Sequence, residues 1–138
     1  MCGNRKGFTL VEILWVIMFL GLLAAIVVPQ FADATSDAKM SNLMKNLQQV
    51  RSQLQLYQLE HNGVYPTDIS PQLTSRTNQD GTINPVGVFG PYLKFFPDNR
   101  YIDDPAKSDA TGGAAGDGWK YDSTSGEFTA NSPGHDQL

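Results

Sequence analysis

The 138-residue chain has few of the side chains that metal sites and covalent cross-links require. It contains one cysteine, Cys2, which excludes a disulfide within the chain and a four-cysteine zinc or iron–sulfur site. Its two histidines are too few for most metal-hydrolase sites. Basic residues are also scarce, with 10 Lys and Arg against 14 Asp and Glu. This balance argues against nucleic acid as a partner, because a phosphate-binding surface is normally basic.

Enzymatic signatures are missing as well. A chain of this length fits one domain, or a small domain with an appendage, and excludes a multidomain enzyme. The placement of Ser, His and Asp does not indicate a hydrolytic triad, and no glycine-rich run is followed by the Lys-Ser/Thr pair of a phosphate-binding loop. We therefore expect a protein that is not an enzyme and that requires no cofactor.

What the chain does have is a long apolar block from Phe8 to Val28, with Glu12 as its single charge. As a helix it would measure about 31 Å, close to the thickness of the hydrocarbon core of a bilayer. Arg5 and Lys6 precede it without any acid, and acidic side chains outnumber basic ones in the chain after it. The positive-inside rule then predicts a single-pass membrane protein with a cytoplasmic N-terminus.

Three interpretations of this block compete. A conventional secretory signal has an apolar core of only about 7–15 residues before its cleavage site, for which Ala32-Asp33-Ala34 is a candidate. A plain membrane anchor would let Glu12 reach back to the lipid headgroups. The third interpretation is a cut between Gly7 and Phe8, which creates an α-ammonium group that neutralises Glu12 in the same helix or in a neighbouring subunit. Such a pair would favour one axial offset between packed helices.

The boundary resembles a known family. From Gly7 to Ile17 it reads Gly-Phe-Thr-Leu-Val-Glu-Ile-Leu-Trp-Val-Ile, which is similar to the class III signal of type IV pilins and type II secretion pseudopilins. The resemblance implies that a membrane-embedded prepilin peptidase cuts after Gly7 and N-methylates Phe8, and that Glu12 supports assembly. Gly21 and Pro29 also fall where the family has a glycine and a proline that soften the helix.

The same two residues have a physical meaning of their own. Glycine weakens a helix interior by about 1 kcal/mol relative to alanine, and proline removes a hydrogen bond and crowds the preceding turn. We therefore expect any bend or unwinding of the helix between Gly21 and Pro29. Gly21 and Ala25 also form a pair of small residues that would let another helix approach closely.

From Gln30 the predicted helix becomes amphipathic and continues to about His61, where Asn62-Gly63 ends it. His61 is interpreted as a helix-end cation favoured by the helix dipole. One face of this half carries apolar residues at spacings of three or four, which predicts that they form the core. They are Leu43, Leu47, Val50, Leu54 and Tyr57.

The remaining chain predicts a small antiparallel sheet. Asn78–Gly90 reads as a loop, and Tyr92–Phe96 as a short strand. Trp119-Lys120-Tyr121 and Glu127-Phe128-Thr129 flank a glycine-containing turn and predict a hairpin. The segments Leu56–Thr67 and Gly90–Lys94 are similar to the major pseudopilin of type II secretion. The predicted fold class is α+β and pilin-like, with a three-stranded sheet packed on a long helix.

A glycine-rich loop before the hairpin carries four acids that could hold calcium, which prefers several oxygen ligands on a flexible backbone. The resemblance implies a calcium ion in this region, although in the family the acidic run follows the last aromatic strand, whereas here Trp119 comes after the acids. A solvated acidic loop is the alternative. The candidates are Asp103, Asp104, Asp109 and Asp117.

The resemblance implies four segments: a cleaved leader at 1–7, a transmembrane and assembly helix at 8–28, its amphipathic continuation at 29–61, and a periplasmic loop and sheet region at 62–138. The expected function is a homopolymeric type II secretion pseudopilus that drives export of folded proteins. Expected partners are the prepilin peptidase, the inner-membrane assembly platform with its ATPase, and minor pseudopilins. A type IV pilin forming a surface fibre, and an anchored periplasmic enzyme or binding protein, are the alternatives.

Overall fold

The protein is described here by a computed structural model. The structure describes residues 7–26, 35–136 and 138. It contains two helices and two strands: α1 (Leu10–Glu60), α2 (Ile69–Thr74), β1 (Trp119–Asp122) and β2 (Glu127–Ala130). The chain divides into two compact units, Met1–Ala38 and Lys39–Leu138, and the boundary falls within α1. A long N-terminal helix with a small antiparallel sheet confirms the predicted α+β, pilin-like fold class.

Helix α1 ends at the predicted Asn-Gly signal. Asn62 and Gly63 both adopt the left-handed conformation, with φ of 57° and 83°. The amide of Gly63 donates to the carbonyl of Gln58 at 2.8 Å, and the amide of His61 donates to Tyr57 at 2.9 Å. These bonds satisfy carbonyl groups that the last turn would otherwise leave without partners. Asparagine and glycine are the residues that tolerate this conformation best, so the helix stops where the sequence predicts.

The core of the second unit forms on the amphipathic face of α1. The apolar residues predicted for that face are all at most 2% exposed, which confirms the helical periodicity. Each such side chain contributes about 1.5–3 kcal/mol when it is fully removed from water. The predicted residues are Leu43, Leu47, Val50, Leu54 and Tyr57, and they cluster with Ile69, Leu73, Leu93, Phe96, Trp119, Phe128 and Ala130.

The predicted hairpin is also confirmed. Strands β1 and β2 pair antiparallel, with Trp119 opposite Ala130 and Tyr121 opposite Phe128. Trp119 is fully buried, and its indole Nε1 donates to the carbonyl of Pro97 at 2.9 Å. Its ring stacks on Phe128 with the centroids 5.1 Å apart. The hairpin therefore places its large aromatic side chains in the core.

The third strand predicted at Tyr92–Phe96 is wrong, because the sheet in the described part of the chain has two strands. The amides of Tyr92 and Leu93 both donate to the carbonyl of Leu73, each at 2.9 Å, so this segment bonds to the end of α2. Leu93 and Phe96 still reach the core, but they are three residues apart, whereas a strand would bury every second residue. Local hydrophobicity predicted the burial correctly and the backbone conformation incorrectly.

Helix α2 is an element that the sequence patterns did not indicate. Ile69 and Leu73 lie four residues apart on one face and are at most 1% exposed, so they complete the core beside α1. The loop predicted at Asn78–Gly90 is confirmed and contains no helix or strand in this described stretch. Isolated bridges from Thr77 to Ile83 and to Phe89 hold it in place.

Candidate functional site: the N-terminal segment

Thr9 begins helix α1. Its carbonyl accepts bonds from the amides of Glu12 at 3.1 Å and Ile13 at 3.3 Å, and its side-chain Oγ1 accepts from the Glu12 amide at 3.2 Å. Thr9 is therefore the N-cap, and Glu12 occupies the third helical position, the spacing of a capping box. A carboxylate in the first turn is also favoured by the helix dipole. The exposed Glu12 therefore occupies a position in the first turn of α1 where a carboxylate is favourable.

Gly7 and Phe8 precede the helix, and both are exposed. The Phe8 side chain retains 77% of its accessible surface. A Cβ atom added to Gly7 would meet no atom within 4 Å, and Gly7 is not among the glycines with positive φ. The chain's own packing and conformation therefore do not require glycine at this position, although the sequence places it directly before Phe8.

Every large apolar side chain of α1 between Leu10 and Ile26 is exposed, by 47–83%. This pattern is the opposite of the second unit, where the apolar face of α1 is covered. A helix that is apolar all round is normally covered by lipid or by other protein. The residues are Leu10, Val11, Ile13, Leu14, Trp15, Val16, Ile17, Met18, Phe19, Leu20, Leu22, Leu23 and Ile26.

The predicted assembly residues lie in this segment. Glu12 is exposed in the first turn of α1, and Gly21 lies within the helix with open space where a Cβ would be. Pro29 lies outside the described residues, so a bend between Gly21 and Pro29 stays a prediction. No helix within the described ranges combines the length and the apolar character needed to cross a bilayer.

In the second unit, His61 is a core residue that the sequence patterns did not reveal. It is 2% exposed, and its ring stacks on Tyr57 with the centroids 3.7 Å apart and the planes 3° from parallel. Its Nδ1 donates to the carbonyl of Tyr57 at 2.8 Å, and its Nε2 lies 2.9 Å from Thr77 Oγ1. The interpretation as a helix-end residue placed by the dipole is corrected: His61 is buried, and it contacts Thr77, the residue directly before the Asn78–Gly90 loop.

Tyrosine hydroxyls link segments that are distant in sequence. Tyr92 donates from its hydroxyl to Glu60 Oε2 at 2.5 Å, and Tyr121 donates to the carbonyl of Pro66 at 2.8 Å. Burial raises the pKa of Tyr92 well above its ordinary value, and the hydrogen bond to the Glu60 carboxylate raises it further. Burial also raises the pKa of Tyr121 and Tyr57, and the charge of Asp80 adds to the effect on the pKa of Tyr57. All three tyrosines therefore stay neutral over the physiological pH range, so the hydroxyls of Tyr92 and Tyr121 remain donors, while that of Tyr57 accepts from Gln72 Nε2.

The four acids predicted to hold calcium do not form a cluster. Asp104 Oδ1 accepts from the amide of Ala106 at 3.0 Å, and Asp117 Oδ2 accepts from the amide of Ala114 at 2.9 Å, so both carboxylates bond their own loop. Asp103 and Asp109 are exposed. No group of three or more potential metal-ligating side chains comes together in the described part of the chain. This arrangement does not fit calcium held by these carboxylates, and calcium binding stays a prediction from the sequence.

Comparison with known proteins identifies relatives of two kinds. The type II secretion system core protein G of Pseudomonas aeruginosa is 38% identical over 64 residues, which are 46% of this chain and 44% of that protein. The core protein G of Klebsiella michiganensis is 36% identical over 99 residues, 72% of this chain and 63% of that protein. The type IV major pilin protein PilE of Neisseria gonorrhoeae is 38% identical over 90 residues, 65% of this chain and 48% of that protein.

The chain spans about half the length of the first of these curated relatives. No protein-family model matches the sequence, and no solved structure matches it. From these sequence similarities we conclude that the chain belongs to the family of type IV pilins and type II secretion pseudopilins.

Proposed function

We propose that the chain is the structural subunit of a type II secretion pseudopilus, which polymerises through its N-terminal helix and drives export of folded proteins across the outer membrane. The observation that carries this proposal is the exposed apolar surface of α1 from Leu10 to Ile26, with Glu12 as its only charge. A surface of this kind requires lipid or other helices around it. The similarity to core protein G of type II secretion systems favours the secretion role.

Maturation precedes assembly in this proposal. A prepilin peptidase in the inner membrane cuts between Gly7 and Phe8 and methylates the new N-terminus. The bond is accessible to it because both residues are exposed and lie before the first helical residue. Glycine at position 7 has no role in the packing of the chain itself, which supports recognition by another protein.

Assembly exchanges lipid contacts for helix–helix contacts. Residues 8–28 would lie in the inner membrane, with the N-terminus cytoplasmic and residues 62–138 periplasmic, until an ATP-driven platform extracts the subunit. An ionised Glu12 in an apolar surrounding costs a few kcal/mol unless a cation neutralises it. The Phe8 ammonium group of a neighbouring copy supplies that cation and selects one axial offset. Minor pseudopilins would complete the filament.

A type IV pilin that forms a surface fibre is the second candidate. The match to PilE of Neisseria gonorrhoeae, which extends over 65% of this chain, favours it. The two functions share maturation and polymerisation and differ in where the filament acts.

Deletion of the gene in the native bacterium tests the proposal. We expect folded proteins to accumulate in the periplasm and surface fibres to be unaffected, with recovery on complementation by the wild-type chain. Loss of surface fibres with normal secretion would favour the pilus function. Mass spectrometry of the chain from the native membrane checks the maturation step, because it reads both the Phe8 terminus and its methylation.

A further inference from the structure

We propose that Thr9 is a positioning residue for maturation: its side chain starts helix α1 directly after Phe8 and so keeps the Gly7–Phe8 bond outside the helix. The inference rests on the proposed function, because it concerns the cut assigned there to Gly7 and Phe8. Peptidases attack a carbonyl carbon in extended chain, whereas a helical carbonyl is already bonded to an amide four residues later. Where the helix starts therefore decides whether the Gly7 carbonyl is available.

The hydrogen bonds define that start. The backbone hydrogen bonds of α1 begin at the carbonyl of Thr9, which accepts from the amides of Glu12 and Ile13. The hydroxyl of Thr9 also accepts from the Glu12 amide. Capping by a side-chain oxygen satisfies an amide in the first turn that has no partner within the helix. Phe8, one residue earlier, is 77% exposed and not helical.

The sequence upstream supplies a competing start. Asn4 is a strong capping residue, and none of the residues between it and Thr9 belongs to the preferred side-chain cap types. A helix capped by Asn4 would contain Gly7 and Phe8, and the Gly7 carbonyl would then accept from the Val11 amide. Glycine at position 7 disfavours that longer helix, and the cap at Thr9 stabilises the shorter one. The two residues thus favour the same helix start by different means.

The test measures cleavage of the full-length precursor by a prepilin peptidase in detergent. Thr9→Val keeps the shape of the side chain and removes the accepting oxygen, and we expect it to lower kcat/KM by up to about fivefold, the factor by which loss of a typical cap shifts the equilibrium between the two helix starts. Because only the fraction of precursor with an extended bond can bind, the loss should appear in KM with kcat unchanged. Thr9→Ser keeps the oxygen and should restore the wild-type value.

Asn4→Ala provides the matched second-site variant. In the Thr9→Val background it removes the competing cap and should bring KM back toward the wild-type value, whereas Asn4→Ala alone should cleave like the wild type. Cα chemical shifts of Gly7 and Phe8 in micelles should move toward helical values in Thr9→Val and return in the double variant, independently of the peptidase.

Two results would overturn the role of Thr9: equal KM for Thr9→Val and the wild type, or failure of Thr9→Ser to restore cleavage. Unchanged chemical shifts at Gly7 and Phe8 in Thr9→Val would overturn it as well. A wild-type precursor that is never cut before Phe8 would instead overturn the proposed maturation, while the chemical shifts would still decide whether Thr9 sets the helix start.

Discussion

Tyr92 donates a 2.5 Å hydrogen bond to the carboxylate of Glu60, and so joins a loop residue to the last residue of α1 across 32 positions of sequence. The ring of Tyr92 also meets that of Tyr57 edge to face at 5.4 Å. Hydrogen bonds and ring contacts therefore join three parts of the second unit: the end of α1, the loop after α2, and the stacked pair of His61 and Tyr57. This region connects the helix to the rest of the second unit.

Tyr92→Phe is expected to lower the free energy of unfolding by about 1–2 kcal/mol, because it removes one hydrogen bond to a charged group at a partly exposed site. Thermal or urea unfolding of the full chain in detergent measures the change. Tyr101→Phe is the matched control, since Tyr101 is also half-buried and its side-chain contacts, a ring contact with His135 and a cation–π contact with Lys39, need no hydroxyl. Equal losses in both variants would contradict the assigned role of the Glu60 bond.

High pH is expected to destabilise the second unit. The pKa values of Tyr57, Tyr92 and Tyr121 are raised above the ordinary 10.0, so the unfolded chain loses its tyrosine protons first. The stabilisation linked to these raised pKa values is therefore fully present below pH 10 and is lost as the pH rises above 10. Tyrosinate absorbance followed together with circular dichroism should show that part of the tyrosine ionisation coincides with unfolding. An identical titration curve for Tyr92→Phe would contradict this assignment.

Acid below about pH 4 is expected to weaken two turns. A hydrogen bond from the Thr82 side chain lowers the pKa of Asp80, and one from the Thr124 amide lowers the pKa of Asp122, both below the ordinary 3.8. Stability from these groups is present above that value and is lost as the pH falls through the lowered pKa. The melting temperature should drop as the pH falls below about 3.8, and less in the Asp80→Asn, Asp122→Asn double variant. Equal drops in both proteins would exclude these carboxylates as the cause.

Glu12→Leu is expected to leave cleavage before Phe8 intact and to strongly reduce filament assembly, because the charge that pairs with a neighbouring Phe8 ammonium group is gone. Mass spectrometry of the N-terminus and electron microscopy of filaments measure the two steps separately. Glu12→Asp keeps the charge and serves as the control. Normal filaments from Glu12→Leu would count decisively against the pairing.

Gly7→Leu is expected to block maturation, although the chain itself has room for a side chain at position 7. Accumulation of uncut precursor with unchanged circular dichroism, and with the Cα chemical shift of Phe8 unchanged in micelles, would show that the peptidase, and not the position of the helix start, requires glycine. Gly21→Leu is a control, because Gly21 also has open space around it but lies away from the cut. A normal Phe8 terminus in Gly7→Leu would defeat the assigned cleavage site.

Local sequence patterns predicted the elements whose contacts are local. The three- and four-residue spacing from Leu43 to Tyr57 predicted the buried face of α1, and the residues around Gly126 predicted the hairpin. Thr9 and Glu12 have the spacing of a capping box, a signal in the sequence that could have located the helix start. At the candidate site, the boundary motif indicated Gly7, Phe8 and Glu12. It could not show that the Gly7–Phe8 peptide bond lies just before the first residue of α1.

By itself the sequence determined the long helix, its buried face, its apolar N-terminal segment and the hairpin, because periodicity and turn residues act over a few positions. Only the tertiary structure decided that Tyr92–Phe96 bonds to Leu73 instead of forming a strand, and that His61 lies in the core against Tyr57. Those outcomes depend on which surfaces remain uncovered after α1, α2 and the hairpin have packed. Contacts between residues distant in sequence decide that, and no local pattern encodes them.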